Sequence, residues 1–313
     1  MKNDEIKSII IQTYQEKLLR NIGEHELLYF FNQFKSDKLN QSSLISLLES
    51  SEEFKSLYDL KNGFTMTNQG FGIYLDPNDQ IISRYIAIKK IWEPDETNFF
   101  NKSIDKGMTI IDIGANIGYF TLLFSKLVGD SGKVITFEPN PHSFKILKKN
   151  VQSNKIKNIT LFSNAIGKSN HSTKLFLSKI NSGDNRISEK IIETSDLQRE
   201  SVDVDVVTLD DTLRNMSIDF LKIDAQGSEM NIIQGAKNII KNNDQIKLII
   251  EFWPIGLIAH DCKPIDFLYE LKSLGLIIYD LDDLTTEINI DKLSSKYDGK
   301  SYTNLFCKKM INL

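Results

Sequence analysis

Two cysteines, no proline before Pro77, no long apolar run and no strong charge bias bound this 313-residue chain by what it lacks. Cys262 and Cys307 supply neither a disulfide framework nor zinc-ligand spacing, so a reducing, cytoplasmic setting is the expectation. No segment approaches the roughly 18 apolar residues of a membrane span. The N-terminus carries Asp4 and Glu5 where a signal peptide would be basic. Lys and Arg number 38 against 42 Asp and Glu, a net charge of −4. Nucleic-acid binding needs a basic surface to neutralise phosphates, so nucleic acid is not expected as a partner. What remains is ordinary for a globular protein: 41% hydrophobic and 26% charged residues, in a length that allows one large domain or two smaller ones.

Hydrophobic periodicity divides the chain into three parts. In residues 1–61, Ile6, Ile9, Ile10, Tyr14 and Leu18 recur at helical spacing, followed by stripes at Leu27, Leu28, Phe30, Phe31 and Phe34 and at Leu44, Ile45, Leu47 and Leu48. Three short amphipathic helices burying these stripes against each other make a small all-α module, with Phe30, Phe31 and Phe34 in its core. Residues 62–98 read as a connecting hairpin or cap, with strands at Phe71–Leu75 and Ile81–Ile88 around the turn Asp76-Pro77-Asn78-Asp79. Residues 99–313 alternate short apolar strands with amphipathic helices. Strands are expected at Thr109–Ile113, Val134–Phe137, Ile159–Ser163, Phe220–Ile223, Lys247–Glu251, Leu276–Tyr279 and Asn304–Lys308, and one long helix at Ser228–Ile240. That pattern is an α/β fold with a mostly parallel sheet covered on both faces. The polar stretch 178–201 is weakly patterned, and an insertion of that length is either mobile or functional, such as a lid over a site. The acids Asp203, Asp205, Asp282 and Asp283 read as solvated turn or strand-edge charge.

The sharpest chemical signal runs from Ile110 to Thr121: a buried strand, then Asp112-Ile113-Gly114-Ala115-Asn116-Ile117-Gly118, then a helix. Ligands of an open parallel sheet bind at the carboxyl ends of its strands, where glycine lets the backbone approach closely. A dinucleotide fingerprint in this register needs glycine at 112, 114 and 117; the chain has Asp112, Gly114 and Ile117. An acid at the first position repels a pyrophosphate but suits S-adenosylmethionine, which has no phosphate and carries an ammonium and a sulfonium. Glu138 ends the next strand, 138 − 118 = 20 residues past Gly118, where an acid accepts hydrogen bonds from both ribose hydroxyls. Pro139 and Asn140 follow it. Asn164 and Ala165 follow the third strand and are placed beside the adenine; an ordinary polar turn accounts for them nearly as well. Asp224 follows the fourth strand, where the methionine end of the cofactor meets the acceptor, with helix capping as its alternative role.

These residues carry a resemblance. The run Gly107–Thr121, Phe137-Glu138-Pro139, Asn150-Val151, Asn164-Ala165-Ile166-Gly167, Thr208-Leu209-Asp210, Lys222–Glu229 and the upstream Trp92-Glu93-Pro94 look like FkbM-type methyltransferases, over roughly residues 62–310. The resemblance implies a class I methyltransferase fold: a Rossmann-like, seven-stranded, mostly parallel sheet whose last strand is antiparallel, binding S-adenosylmethionine. It adds Glu93 to a cofactor set of Asp112, Gly114, Asn116, Gly118, Glu138, Pro139, Asn140, Asn164, Ala165 and Asp224. It also implies O-methylation of a saccharide or related natural product. The chain departs from the family at Ala225-Gln226, where the family usually has an apolar residue and Glu. Separately, Tyr14, Leu18, Leu19, Arg20, Glu24, Leu27 and Ser51-Glu52-Glu53-Phe54 resemble a helical domain of unknown function found beside glycosyltransferases. That resemblance implies a glycan acceptor and a glycosyltransferase as partner.

A hydroxyl acceptor needs a base in the transition state. Four residues compete for that role: His260, whose ordinary pKa suits it, then Glu251, Asp224 and Glu229. Asp224 and Glu251 on adjacent strand ends are also a candidate Mg²⁺ pair, a thin one unless water or substrate completes it. Asp224-Ala225-Gln226-Gly227 is not the D/N-P-P-Y/F tetrad of nucleic-acid amino-methyltransferases, and no Pro-Cys of a cytosine C5 enzyme is present. The non-enzymatic alternative is a cofactor-binding adaptor that docks on a glycosyltransferase.

Overall fold

The computed structural model describes residues 2–188, 190, 199–297 and 301–309. Four helices open the chain: α1 Asn3–Leu18, α2 Glu24–Lys35, α3 Gln41–Ser50 and α4 Glu52–Asn62. The periodicity predicted three. The break comes at Ser51, whose hydroxyl accepts the amide of Phe54 and restarts the helix as an N-cap. Ile6, Ile10, Tyr14 and Leu18 are buried as their spacing requires, together with Phe30 and Phe34, whereas Leu28 is 59% exposed.

The connecting segment departs from expectation. The hairpin is β1 Phe64–Met66 with β2 Gly72–Tyr74, and Ile81–Ile88 is no strand but part of helix α5 Ile82–Lys89. Its isoleucines suggest β structure, but Asp79 decides otherwise. Its Oδ1 accepts the amides of Ile81 and Ile82 and its Oδ2 that of Ser83, capping a turn that buries Ile82, Ile86 and Ala87 at helical spacing. Helix α6 Pro94–Ser103 follows, with proline at its first position.

Then come β3 Thr109–Ile113, α7 Tyr119–Val128, β4 Lys133–Phe137, α8 Pro141–Ser153, β5 Ile159–Phe162, β6 Ala165–Ile166, β7 His171–Leu177, β8 Glu200–Val207, α9 Leu209–Thr212 and β9 Phe220–Ile223. The chain closes with α10 Glu229–Gln234, α11 Lys237–Asn242, β10 Lys247–Phe252, α12 Pro254–Ala259, α13 Pro264–Ser273, β11 Leu276–Asp280, β12 Asp283–Glu287, α14 Ile290–Lys296 and β13 Thr303–Lys309. The helix expected over Ser228–Ile240 is two. It breaks at Gly235, where a Cβ would stand 2.0 Å from the Gly167 carbonyl oxygen.

The main sheet runs β12-β11-β13-β10-β9-β3-β4-β5. β5, β4, β3, β9 and β10 are parallel, and β13 inserts antiparallel between β10 and β11. This is the seven-stranded class I methyltransferase order with its reversed last strand. An eighth strand, the fully solvated β12, extends the β11 edge as a hairpin. A second sheet, β6-β8-β7, escaped the sequence reading because its outer face is charged. Asp203 and Asp205 point outward from its middle strand, toward Lys174 and Ser172, while Val204 and Val206 point inward.

The strands are buried on both faces, so alternate residues feed two cores. Ile110, Val134, Phe220 and Ile249 belong to one core, which continues without a break through α5–α7 into α1–α4. Ile111, Ile135, Leu221 and Leu248 belong to the other, under α10–α13. Arg84 of α5 is buried at the first of these junctions. Its guanidinium donates to the Leu18 carbonyl and lies 3.3 Å from Glu53, which is also paired with Arg20.

Candidate functional site

The carboxyl ends of β3, β4, β9 and β10 open into one cavity of about 420 Å³, within the roughly 300–1,000 Å³ usual for ligand pockets. Residues 181–187, from the lid-length insertion, form its opposite wall. Residues 189 and 191–198 of that insertion lie outside the described residues.

At one end stands Glu138. Its Oε2 accepts the amide of Asn116 at 2.7 Å and its Oε1 that of Asn140 at 2.8 Å. Burial pushes the carboxyl up to about 7, against the pull of those two amides. The glycine loop reaches it because Gly114 has φ +80° and a Cβ there would stand 1.8 Å from the Asp224 carbonyl oxygen. No side chain fits between these two strand ends. Gly114→Ala is therefore expected to lower Tm by several degrees, checked by thermal melts. The insertion is tied to the same loop: Ser182 Oγ lies 3.0 Å from Asn116 Nδ2 and 2.8 Å from Asp79 Oδ2.

The other end is acidic. Glu93, Asp224 and Glu251 line it, with Lys222 Nζ 3.3 Å from Asp224 Oδ2. Burial, then Asp224, raises Glu93 to about 8. Burial, then Asp224, Glu229 and Glu93, holds Glu251 well above the usual carboxylate range. Gln226 Nε2 lies between two of the acids, 3.1 Å from Asp224 Oδ1 and 3.2 and 3.1 Å from the two oxygens of Glu251. Trp253 and Tyr302 add flat walls.

Glu93, Gly114, Asn116, Glu138, Pro139, Asn164, Ala165, Asp224 and Glu251 thus come together around one cavity. The other predicted residues stand behind it. Gly118 packs on Leu147. Asn140 caps α8 by accepting the amide of His142. Asp112 is sealed in the sheet, its Oδ2 accepting from Thr121 Oγ at 2.6 Å, with Lys222 beside it on β9. It faces no ligand, so direct repulsion of a pyrophosphate is not its role. Glu229 is fully buried; its Oε1 accepts the amides of Ala225 and Gly227 and braces the turn. His260 lies outside the cavity, 3.5 Å from Ser228 Oγ, and burial with Lys190 and Arg186 nearby lowers it to about 4. Among the described residues, no group of three or more His, Cys, Asp or Glu is arranged to hold a metal ion.

Sequence reasoning missed Lys222, Trp253, Arg186 and Tyr302 as lining residues. Tyr302 is the hardest to foresee. It sits just before β13, and only the antiparallel register that sets Asn304 against Glu251 brings that segment to the cavity.

Residues 112–266 match the model of the methyltransferase FkbM domain. Methyltransferase 1 of Beauveria bassiana is 27% identical over 186 residues, covering 53% of this chain and 72% of that protein. Methyltransferase sdnD of Sordaria araneosa is 26% identical over 184 residues, covering 47% of this chain and 68% of its own. Among solved structures, methyltransferase FkbM from Methylobacillus flagellatus KT aligns with a TM-score of 0.42 and 12% identity, over 91% of this chain and 71% of that one. The family match and the relatives support a methyltransferase.

Proposed function

We propose that the chain transfers a methyl group from S-adenosylmethionine to a hydroxyl of a saccharide or related natural product. The observation that carries this reading is one cavity with a diol-accepting carboxylate at one end, Glu138, and at the other a buried carboxyl, Glu251, whose proton affinity burial raises. The residues fit the cofactor. Glu138 accepts from the ribose hydroxyls, Asn164 and Ala165 flank the adenine, and the bare backbone at Gly114 leaves room for the chain between them. Asp224, and Glu93 once a cation beside it draws off its proton, answer the positive charges of the methionine end. When bound, the cofactor supplies an already activated methyl group, so the protein's work is alignment and proton removal.

Glu251 is the base in this reading. Its raised proton affinity suits removal of a proton from a weakly acidic hydroxyl near neutral pH. Lys222 gives Asp224 a counter-charge, so one acid of the pair stays matched while the other takes up the proton. Trp253 and Tyr302 offer flat apolar faces to a sugar ring. A glycan setting also makes a glycosyltransferase the proposed partner of α1–α4.

The test is incubation with methyl-labelled S-adenosylmethionine and a panel of glycans. Label recovered on a sugar hydroxyl supports the reading. Cofactor binding without transfer to any glycan overturns the acceptor, and calorimetric preference for NAD overturns the whole proposal.

A further inference from the structure

We propose that Gln226 is a positioning residue that keeps divalent cations out of the acidic end of the cavity, its carboxamide holding Asp224 and Glu251 in the place where a metal ion would bridge them. The geometry is direct. One amide nitrogen lies 3.1 Å from Asp224 and within 3.2 Å of both Glu251 oxygens. Its two N–H groups answer both carboxylates at once, which fixes the amide with its nitrogen inward, since the oxygen there would face three acceptors. A hard cation needs roughly six to eight oxygen ligands converging on one point. Here that point is occupied by the N–H donors of Gln226, and the oxygens of both acids that face it already accept from them.

The loop leaves Gln226 little freedom to swing away. Its backbone is left-handed at φ +51°, followed by Gly227 at φ +100°. A Cβ at Gly227 would stand 2.5 Å from the Gly256 carbonyl oxygen, so the turn is pressed against α12. Glu229 Oε1 grips it on both sides of Gln226, at the amides of Ala225 and Gly227. Among the described residues, the charged or titratable groups that act on the pair include Glu93 at the start of α6, Lys222 of β9, Glu229 of α10 and Tyr302 before β13, with Asp112 and Glu138 acting on Asp224. None of these places a second neutral donor between the two acids.

The inference rests on the methyl-transfer reading for what the carboxyl pair does, but its test does not require turnover. Mn²⁺ alone is titrated into the full-length protein and into Gln226→Glu and Gln226→Ala, followed by electron paramagnetic resonance and calorimetry. Wild type is expected to show no saturable binding below about millimolar Mn²⁺, and Gln226→Glu to bind on the order of 100-fold more tightly, because ligand charge count tunes such sites. Gln226→Ala, which removes the donors without adding a charge, is expected to bind between the two. It keeps the proposal testable should the Glu variant fail to fold. Micromolar Mn²⁺ binding by wild type overturns the proposal, as does Mn²⁺ affinity in both variants equal to that of wild type. Absence of methyl transfer with all three proteins would sink the functional reading and leave the cation result standing.

Discussion

Glu138→Ala is expected to weaken S-adenosylmethionine binding by roughly 10- to 150-fold, the equivalent of about 1.5–3 kcal/mol for a charge-assisted pair of hydrogen bonds. The carboxylate is braced by the amides of Asn116 and Asn140, so it meets the ligand already oriented. The effect carries a pH signature. Burial raises this carboxyl from 4.5 to about 7, so below that pH the folded protein keeps the proton and presents a poorer acceptor. Cofactor affinity should therefore rise as pH increases through about 7, and lose that rise in Glu138→Gln. The sign for stability is opposite. Between pH 4.5 and about 7 the folded chain holds a proton that the unfolded chain has released, so this group lowers stability as pH climbs through the window. Calorimetric titrations at pH 6 and pH 8 check the first claim. Affinity unchanged by either substitution would mean that the ribose is held elsewhere.

The second large effect belongs to Glu251→Gln. It should lower kcat by roughly 10²–10⁴-fold, the usual contribution of a positioned base, with cofactor Kd nearly unchanged. Glutamine keeps the shape and can still face Gln226, so a loss confined to kcat points to the proton. Placement separates this residue from two of the other candidates, and the Lys222 counter-charge on Asp224 separates it from the third. His260 and Glu229 lie outside the cavity, one low in proton affinity from burial and the other committed to two loop amides. His260→Ala should accordingly keep most of the turnover. Full activity in Glu251→Gln, measured under saturating cofactor, would remove the base from the mechanism.

The sheet was legible in the sequence because its strands are continuous apolar runs ended by Gly, Asp or Glu. Thr109–Ile113 and Phe220–Ile223 fall where expected. Local chemistry outside the strands was harder to read. The isoleucines of α5 carry a β signal that Asp79 overrides through three capping bonds. Gly235 splits a helix because of a carbonyl from a segment far away in the chain, and β7 with β8 shows charge on the face that sequence sees first. At the site, Glu138 was readable from its spacing after the glycine loop. Asp112 stood at a recognisable position, but its direction was not readable: alternation along β3 turns it into the sheet, toward Thr121. Lys222 and Tyr302 depend on strand register, which no local pattern encodes.

Helix α5 has two neighbours that matter. On one side Arg84 is locked to Leu18 and Glu53 of the N-terminal helices; on the other Ile82 lines the cavity, and a Cβ on Gly183 of the lid would stand only 2.7 Å from it. Asp79, which caps α5, also holds Ser182. The same few turns of backbone therefore belong to two regions that sequence divides at residue 61. A chain built this way is expected to melt as one cooperative block, and a ligand seated between Ile82 and the insertion to raise the free energy needed to open α1–α4, more than 110 residues earlier in the chain, which amide hydrogen exchange of α1–α4 with and without ligand checks.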